Sequence, residues 1–220
     1  MSYALLILLA YLLGSVPFGF IIARFRGIDL RKVGSGNIGA TNTARVLGKK
    51  WGIICMILDI LKGLAPMLMV PVLGLVEQDT NPLQLTLWLL VGCAAVLGHV
   101  FPVYLKFKGG KGVATSLGIV LGLWPYYTLC GIAAFIVFLV VVLIWRYVSA
   151  ASITAAICFP LFLMTAILTF KQWELSQLWP LLIIAILMSL LVVIRHRENI
   201  RRLINGSETR IFKKTSQKNN

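Results

Sequence analysis

Acidic side chains are scarce in this chain: seven Asp and Glu stand among 220 residues, and charged residues of all types make up only 13%. A soluble domain carries about a quarter charged residues, so a water-soluble globular fold is excluded. Histidine occurs twice and cysteine four times. Cys55, Cys93, Cys130 and Cys158 fall in separate apolar segments without C-x-x-C or Cys/His spacing, which points to packing residues rather than disulfides or metal ligands. No His/Cys/carboxylate constellation is visible, and neither metal nor cofactor is expected. A Walker A loop and a G-x-S-x-G elbow are also missing, which removes the common nucleotide-binding and serine-hydrolase readings.

What the chain does have is apolar bulk, 59% of its residues with a mean hydropathy of +0.91, and 21 Lys and Arg that give a formal charge of +14. A disordered basic protein would lack the hydrophobic runs. A nucleic-acid binder would spread its charge over a soluble surface, so no nucleic-acid partner is expected. Apolar segments run from Tyr3 to Ala23, Gly52 to Val76, Leu83 to Val100, Val113 to Trp145, Val148 to Phe170 and Leu178 to Ile194. Most approach the ~20 residues that cross a ~30 Å hydrocarbon core. The first lacks a basic leader and an A-x-A-like cleavage site, and is expected to stay as a membrane helix.

Lys and Arg gather in four places: seven between Arg24 and Lys50, then Lys106, Lys108 and Lys111, then Arg146, and eight from Arg195 onward. The other two connections, Gly74 to Pro82 and Lys171 to Ser176, hold Glu77, Asp79 and Glu174 but only Lys171. By the positive-inside rule the N-terminus lies outside and the C-terminus in the cytoplasm. A single span from Val113 to Trp145 would leave one basic region outside. Its 33 residues suffice for two shorter helices, of about 16 residues and about 24 Å each. Leu123-Trp124-Pro125-Tyr126-Tyr127 offers a helix breaker and interfacial aromatics for an external hairpin.

The expected fold is therefore an all-α integral membrane protein with seven transmembrane helices, two of them short and paired in that hairpin. One long tilted helix and six spans is the alternative. Residues 1–206 form a single domain, and 207–220 a basic, flexible cytoplasmic tail.

Two glycine-rich loops precede helices on the cytoplasmic side. The first runs Gly34-Ser35-Gly36-Asn37-Ile38-Gly39-Ala40-Thr41-Asn42 and closes at Arg45. Its glycines permit the positive φ of an anion nest, its hydroxyls and amides add donors, and a helix starting near Ala40 would turn its positive end to the same anion. A flexible connector rich in turn formers is the plainer reading. The second carries Gly98-His99 and then Lys106-Phe107-Lys108-Gly109-Gly110-Lys111-Gly112-Val113-Ala114-Thr115. A lysine at a helix start is disfavoured by the dipole unless an anion is near, so Lys111 is assigned to anion binding. Lys106 and Lys108 read as headgroup anchors. Ser149 and Ser152 follow Arg146 at a third turn. In the last basic stretch, Arg195-His196-Arg197-Glu198-Asn199, a continuing helix would put His196 and Asn199 on one face. Asp59 and Lys62, one turn apart inside the second span, are expected to neutralise one another or line a polar interior.

These stretches, Gly34 to Asn42, Gly98-His99 with Phe107 to Thr115, and Arg195 to Ile200, together resemble the bacterial PlsY family of acyl-phosphate:glycerol-3-phosphate acyltransferases, in motif order and over nearly the whole chain. The resemblance implies transfer of a fatty acyl group from acyl phosphate to the 1-hydroxyl of glycerol 3-phosphate, giving lysophosphatidic acid and inorganic phosphate. It further implies the first acylation of phospholipid synthesis, at the cytoplasmic face of a bacterial inner membrane, by an enzyme surrounded by membrane lipid and expected to be monomeric.

Matched positions imply catalytic roles for Ser35, Arg45, Lys111, His196 and Asn199. Substrate contacts are implied for Gly34, Gly36, Asn37, Gly39, Ala40, Thr41, Asn42, Gly109, Gly110, Gly112, Thr115 and Ser149. The H-x-x-x-x-D pair of the unrelated acyl-CoA-type glycerolipid acyltransferases is absent: Tyr104 follows His99 and Arg201 follows His196 at that spacing. The hydroxyl proton then goes either to the departing phosphate or to His196. A carrier or sensor of phosphate esters is the alternative function, although the span centres hold few charges for a transport path.

Overall fold

The computed structural model describes residues 2–76 and 81–211; Glu77 and Asp79 of the acid-bearing connection, and residues 212–220 of the expected tail, lie outside the described residues. Every regular element among the described residues is helical. In chain order they are α1 (Tyr3–Gly14), α2 (Phe18–Arg24), α3 (Ala40–Leu47), α4 (Lys49–Val72), α5 (Pro82–Val100), α6 (Val113–Gly122), α7 (Tyr126–Trp145), α8 (Val148–Thr169), α9 (Leu175–Arg195) and α10 (Arg197–Ile204). Counting α1 and α2 together, six stretches are long and apolar enough to cross a membrane, and α6 is a shorter apolar helix.

Two details depart from the expected spans. The first segment breaks at Ser15–Pro17, because Pro17 has no N–H to continue the ladder; the Ser15 hydroxyl turns back onto the Tyr11 carbonyl at 2.8 Å. The Val16 carbonyl at the break accepts from Phe18 N at 3.2 Å and from Lys62 Nζ at 2.9 Å, and Lys62 pairs with Asp59 at 2.8 Å. Mutual neutralisation of Asp59 and Lys62 thus also mends a backbone break. The second departure concerns Val113 to Trp145. The expected division into two short helices of similar length becomes one of 10 residues and one of 20. The break falls at Leu123–Pro125, and the Thr128 hydroxyl donates to the Val120 carbonyl at 2.8 Å.

The helices pack through small residues, as they must where lipid supplies no hydrophobic drive for association. At the α4–α6 crossing Gly63 lies on the Thr115 carbonyl, Gly118 on Ile60, and Gly122 on Met67, with no room for a Cβ. The two helices therefore run in the same direction, and α6 begins well along α4, since Gly63 is about 21 Å from Lys49 at 1.5 Å per residue. Gly98 of α5 meets the Tyr11 carbonyl of α1 in the same way. Polar side chains inside the bundle satisfy carbonyls: Trp88 Nε1 donates to Met67 O at 2.9 Å and the Tyr127 hydroxyl to Leu181 O at 2.6 Å. α5 is the most enclosed helix, with α1, α4, α6 and α9 around it. Leu143, Ile144 and Leu168 are among the large apolar side chains left on the outside, where lipid meets them.

Candidate active site

Asn42 builds the first loop. Its amide Nδ2 donates to the carbonyls of Leu30 (3.3 Å), Val33 (3.1 Å) and Asn37 (2.8 Å), while its Oδ1 accepts from Ser35 N at 2.8 Å. Gly34, at φ +62°, comes so close to Asn42 Oδ1 that a side chain would collide. Asn37 Oδ1 accepts from Gly39 N at 2.9 Å, and α3 starts one residue later with no side chain capping it. Asn42, 2% exposed, thus spends its polar atoms on the loop. Ser35, Thr41 and Arg45 stay exposed around a helix start whose first N–H groups lack a side-chain cap.

The second loop is held from α9. Arg195 Nε donates to Gly110 O and its Nη2 to Gly109 O, both at 3.2 Å, and Gly110 N donates to His99 O at 3.1 Å. Gly110 rests against the His99 imidazole and Gly109 against the His99 carbonyl, so neither could carry a Cβ. Beneath them His99 Nδ1 stands 3.6 Å from Asp59 Oδ1. Lys111, held between clamped glycines and Gly112 at φ +84°, donates its ammonium proton to Asn199 Oδ1.

The third part comes from the end of α9. The chain kinks at His196, whose Nδ1 sits 2.8 Å from Val192 O; a carbonyl can only accept, so the proton is on Nδ1 and Nε2 offers a lone pair. Asn199 follows on α10 and, like His196, is buried, which places the two on one face as the spacing predicts. The chain then returns. Glu208 accepts from Asn199 Nδ2 (2.7 Å), Ser149 Oγ (2.8 Å) and Arg202 Nε (2.7 Å). Ile211 N donates to Arg146 O at 2.9 Å and Arg210 Nε to the Tyr147 hydroxyl at 3.0 Å. Residues 207–211, the start of the expected flexible tail, are therefore tied to the α7–α8 turn.

All three parts open on one cavity of about 630 Å³. It takes in Gly34, Ser35, Asn37, Gly39, Ala40, Thr41, Asn42, Arg45, Lys111, Gly112, Ser149, His196 and Asn199 of the expected site, and continues into an apolar limb between α6, α7, α8 and α9. Gly36, Gly109, Gly110 and Thr115 are not brought to it. The two loop glycines act through their carbonyls, and Thr115 is buried at the α4 crossing. Asp59, His99, Arg202 and Glu208 also line it, and the sequence reading assigned none of them a site role. A lone acid ten residues after Glu198, amid basic residues, was the available signal for Glu208.

Burial among cations sets the charge states. Burial first, and then Arg202, Arg195 and Arg45, pull the Lys111 ammonium down to about 8, against the pull of Glu208. Burial and the neighbouring Lys111 charge bring His196 down to about 4. Burial would raise Glu208, but its hydrogen bonds from Arg202, Asn199 and Ser149 prevail and hold it below the usual glutamate range. At neutral pH the cavity mouth combines cationic Lys111 and Arg45, an Arg202–Glu208 ion pair and a neutral His196.

A polar, cationic mouth joined to an apolar limb suits an amphiphile with an anionic head. The family model for glycerol-3-phosphate acyltransferase matches residues 4–206. The chain belongs to this family. Among glycerol-3-phosphate acyltransferases, the one from Geotalea daltonii is 47% identical over 97% of this chain and 99% of its own, and that of Aquifex aeolicus 45% identical over 96% and 100%. The crystal structure of PlsY, an integral membrane glycerol 3-phosphate acyltransferase, in its glycerol 3-phosphate form superposes with a TM-score of 0.81 at 44% identity, covering 96% of each chain. Its lysophosphatidic acid form gives 0.78 at 43%, covering 96% of this chain and 95% of that one. The all-helical PlsY membrane fold and family are thus those of this chain.

Proposed function

We propose that this protein transfers a fatty acyl group from acyl phosphate to the 1-hydroxyl of glycerol 3-phosphate, releasing lysophosphatidic acid and inorganic phosphate, as the first acylation of phospholipid synthesis. The observation that carries this reading is the single cavity with cations at its mouth and an apolar limb below. Glycerolipid chemistry at a membrane needs both ends in one space. Both substrates bring a phosphate, and the mouth offers two anion-binding regions. One is the unspent N-terminus of α3 with Ser35, Thr41 and Arg45; the other is Lys111 beside Ser149, Asn199 and Arg202, donors that hold the Glu208 carboxylate in this structure and would serve a phosphate in its place.

The hydroxyl oxygen attacks the acyl carbonyl carbon, the bond from that carbon to the phosphate oxygen breaks, and the hydroxyl proton leaves with the phosphate. No protein nucleophile is needed. Lys111 and Arg45 neutralise phosphate charge, while His196 Nε2 and Asn199 orient glycerol 3-phosphate. A histidine with a pKa of about 4 is a weak base, which favours the departing phosphate as proton acceptor. Positioning and fixed charge then supply most of the rate.

The reading includes a bacterial inner membrane, a monomer, and seven crossings with the N-terminus outside, α6 being the short crossing and α6–α7 the external hairpin. The distribution of Lys and Arg supports it, as does the contact of Gly131 with Val120 across the turn. The decisive experiment gives purified protein acyl phosphate and labelled glycerol 3-phosphate. Labelled lysophosphatidic acid is expected, and none when acyl-CoA replaces acyl phosphate; absence of product with acyl phosphate overturns the reading.

A further inference from the structure

The lining of the apolar limb stops at a common depth on four helices. The outermost residues that line it are Tyr127 on α7, Phe159 on α8, Ala185 on α9 and Val120 on α6. Beyond them Leu123, Leu163, Leu178 and Leu181 are at most 3% exposed and fill the outer end of the bundle. Tyr127 and Phe159 close the limb edge to face, with centroids 5.0 Å apart and planes at 86°. The Tyr127 ring cannot swing aside easily, because its hydroxyl is tied to Leu181 O at 2.6 Å and the residue is 3% exposed. Between that end and the mouth, the small residues Gly131, Ala134, Ala155 and Ala156 line the limb, with Phe135, Phe138 and Met188 on its walls as well. A limb with small residues along two helices and two rings across its outer end is the shape of a measuring slot.

We propose that the Tyr127–Phe159 pair is the stop that sets the longest acyl chain this enzyme accepts; this rests on the donor reading above. Helix rise gives the depth. From Ser149 to Phe159 along α8 is about 15 Å, and from His196 to Ala185 along α9 about 16 Å. An extended chain advances about 1.2 Å per bond, taking the peptide backbone as the measure. The slot therefore holds roughly 14 carbons with the acyl head at the cationic mouth. A longer chain has to bend or leave between helices, losing the burial of its last methylenes.

The test compares kcat/KM for acyl phosphates of 10, 14 and 18 carbons in wild type, Phe159→Ala and Ala155→Leu. Size exclusion in detergent shows which proteins are folded. Phe159→Ala removes half of the stop and raises the 18-carbon to 14-carbon ratio by tenfold or more, the contribution of about two newly buried methylenes. Ala155→Leu obstructs the bore about 9 Å below Ser149 and lowers the 14-carbon to 10-carbon ratio by a similar factor. If whichever variants fold keep the wild-type chain-length profile, the stop is elsewhere and the proposal fails. If the wild type uses no acyl phosphate of any length, it is the donor reading that fails instead.

Discussion

With its ammonium pulled down to about 8, Lys111 is about ten parts charged to one neutral at pH 7, and loses that charge as pH rises through 8. If Lys111 clamps phosphate as proposed, that capacity is present below about pH 8 and lost above it. The pH profile of kcat/KM, which reports groups of the free enzyme, is therefore expected to fall on the alkaline side near pH 8. Lys111→Arg keeps the charge to far higher pH and removes that limb, while Lys111→Ala lowers kcat/KM by about a hundredfold or more, as loss of a buried charge clamp does. Histidine 196 makes the opposite case. With a pKa of about 4 it is neutral at working pH but only a weak base, so His196→Gln, which keeps a hydrogen-bonding side chain but no proton-accepting ring, is expected to cost about tenfold in turnover. A general base would cost a hundredfold to ten-thousandfold. Stopped assays of the Gln variant at saturating substrates separate the two.

At the scale of elements, the segment over 207–211 behaves as a strap across the α7–α8 turn, and Glu208 is its buckle. Three side chains donate to that carboxylate, and its charge also opposes the fall of the Lys111 pKa. Glu208→Gln removes the charge with little change of shape. The alkaline limb of Lys111 then moves to lower pH, and lysine titration followed through the pH profile of kcat/KM checks it. The glycine loops, the His196/Asn199 face and most spans were legible because each is a local pattern: a nest composition, an i,i+3 spacing, an apolar run between charges. Glu208, His99 and Asp59 were not, because their roles depend on which distant residues the fold brings near. Asn42 shows the same limit from the other side. Its residue type suggested a ligand contact, yet its four hydrogen bonds go to the loop, a fact that only tertiary geometry decides. The break at Pro17 was readable in principle; what could not be read was the lysine one helix away that answers the freed carbonyl.

For the molecule as a whole, the close crossings fix how the three loops converge. Gly118→Val forces α6 off the Ile60 carbonyl of α4 and is expected to cost about 1–3 kcal/mol of packing, measured as a lower Tm in detergent. It also lowers activity in the surviving folded fraction, since Lys111 rides on the α6 start. The proposed external hairpin has its own check: a cysteine placed at Trp124 in a cysteine-free background is expected to react with a membrane-impermeant maleimide added outside intact cells. Inaccessibility there removes the seventh crossing.

The late start of α6 along α4 has one more consequence. Lys111 precedes a helix whose first turn lies about 20 Å along its neighbour, so the end of the second loop is seated against the side of α4 rather than beyond its Lys49 end. For the proposed acyl phosphate donor, a mixed anhydride prone to hydrolysis, a reaction centre recessed in this way meets the bound alcohol far more often than bulk water. Under that proposal, the late start of α6 governs how many acyl groups reach glycerol 3-phosphate and how many are lost as free fatty acid.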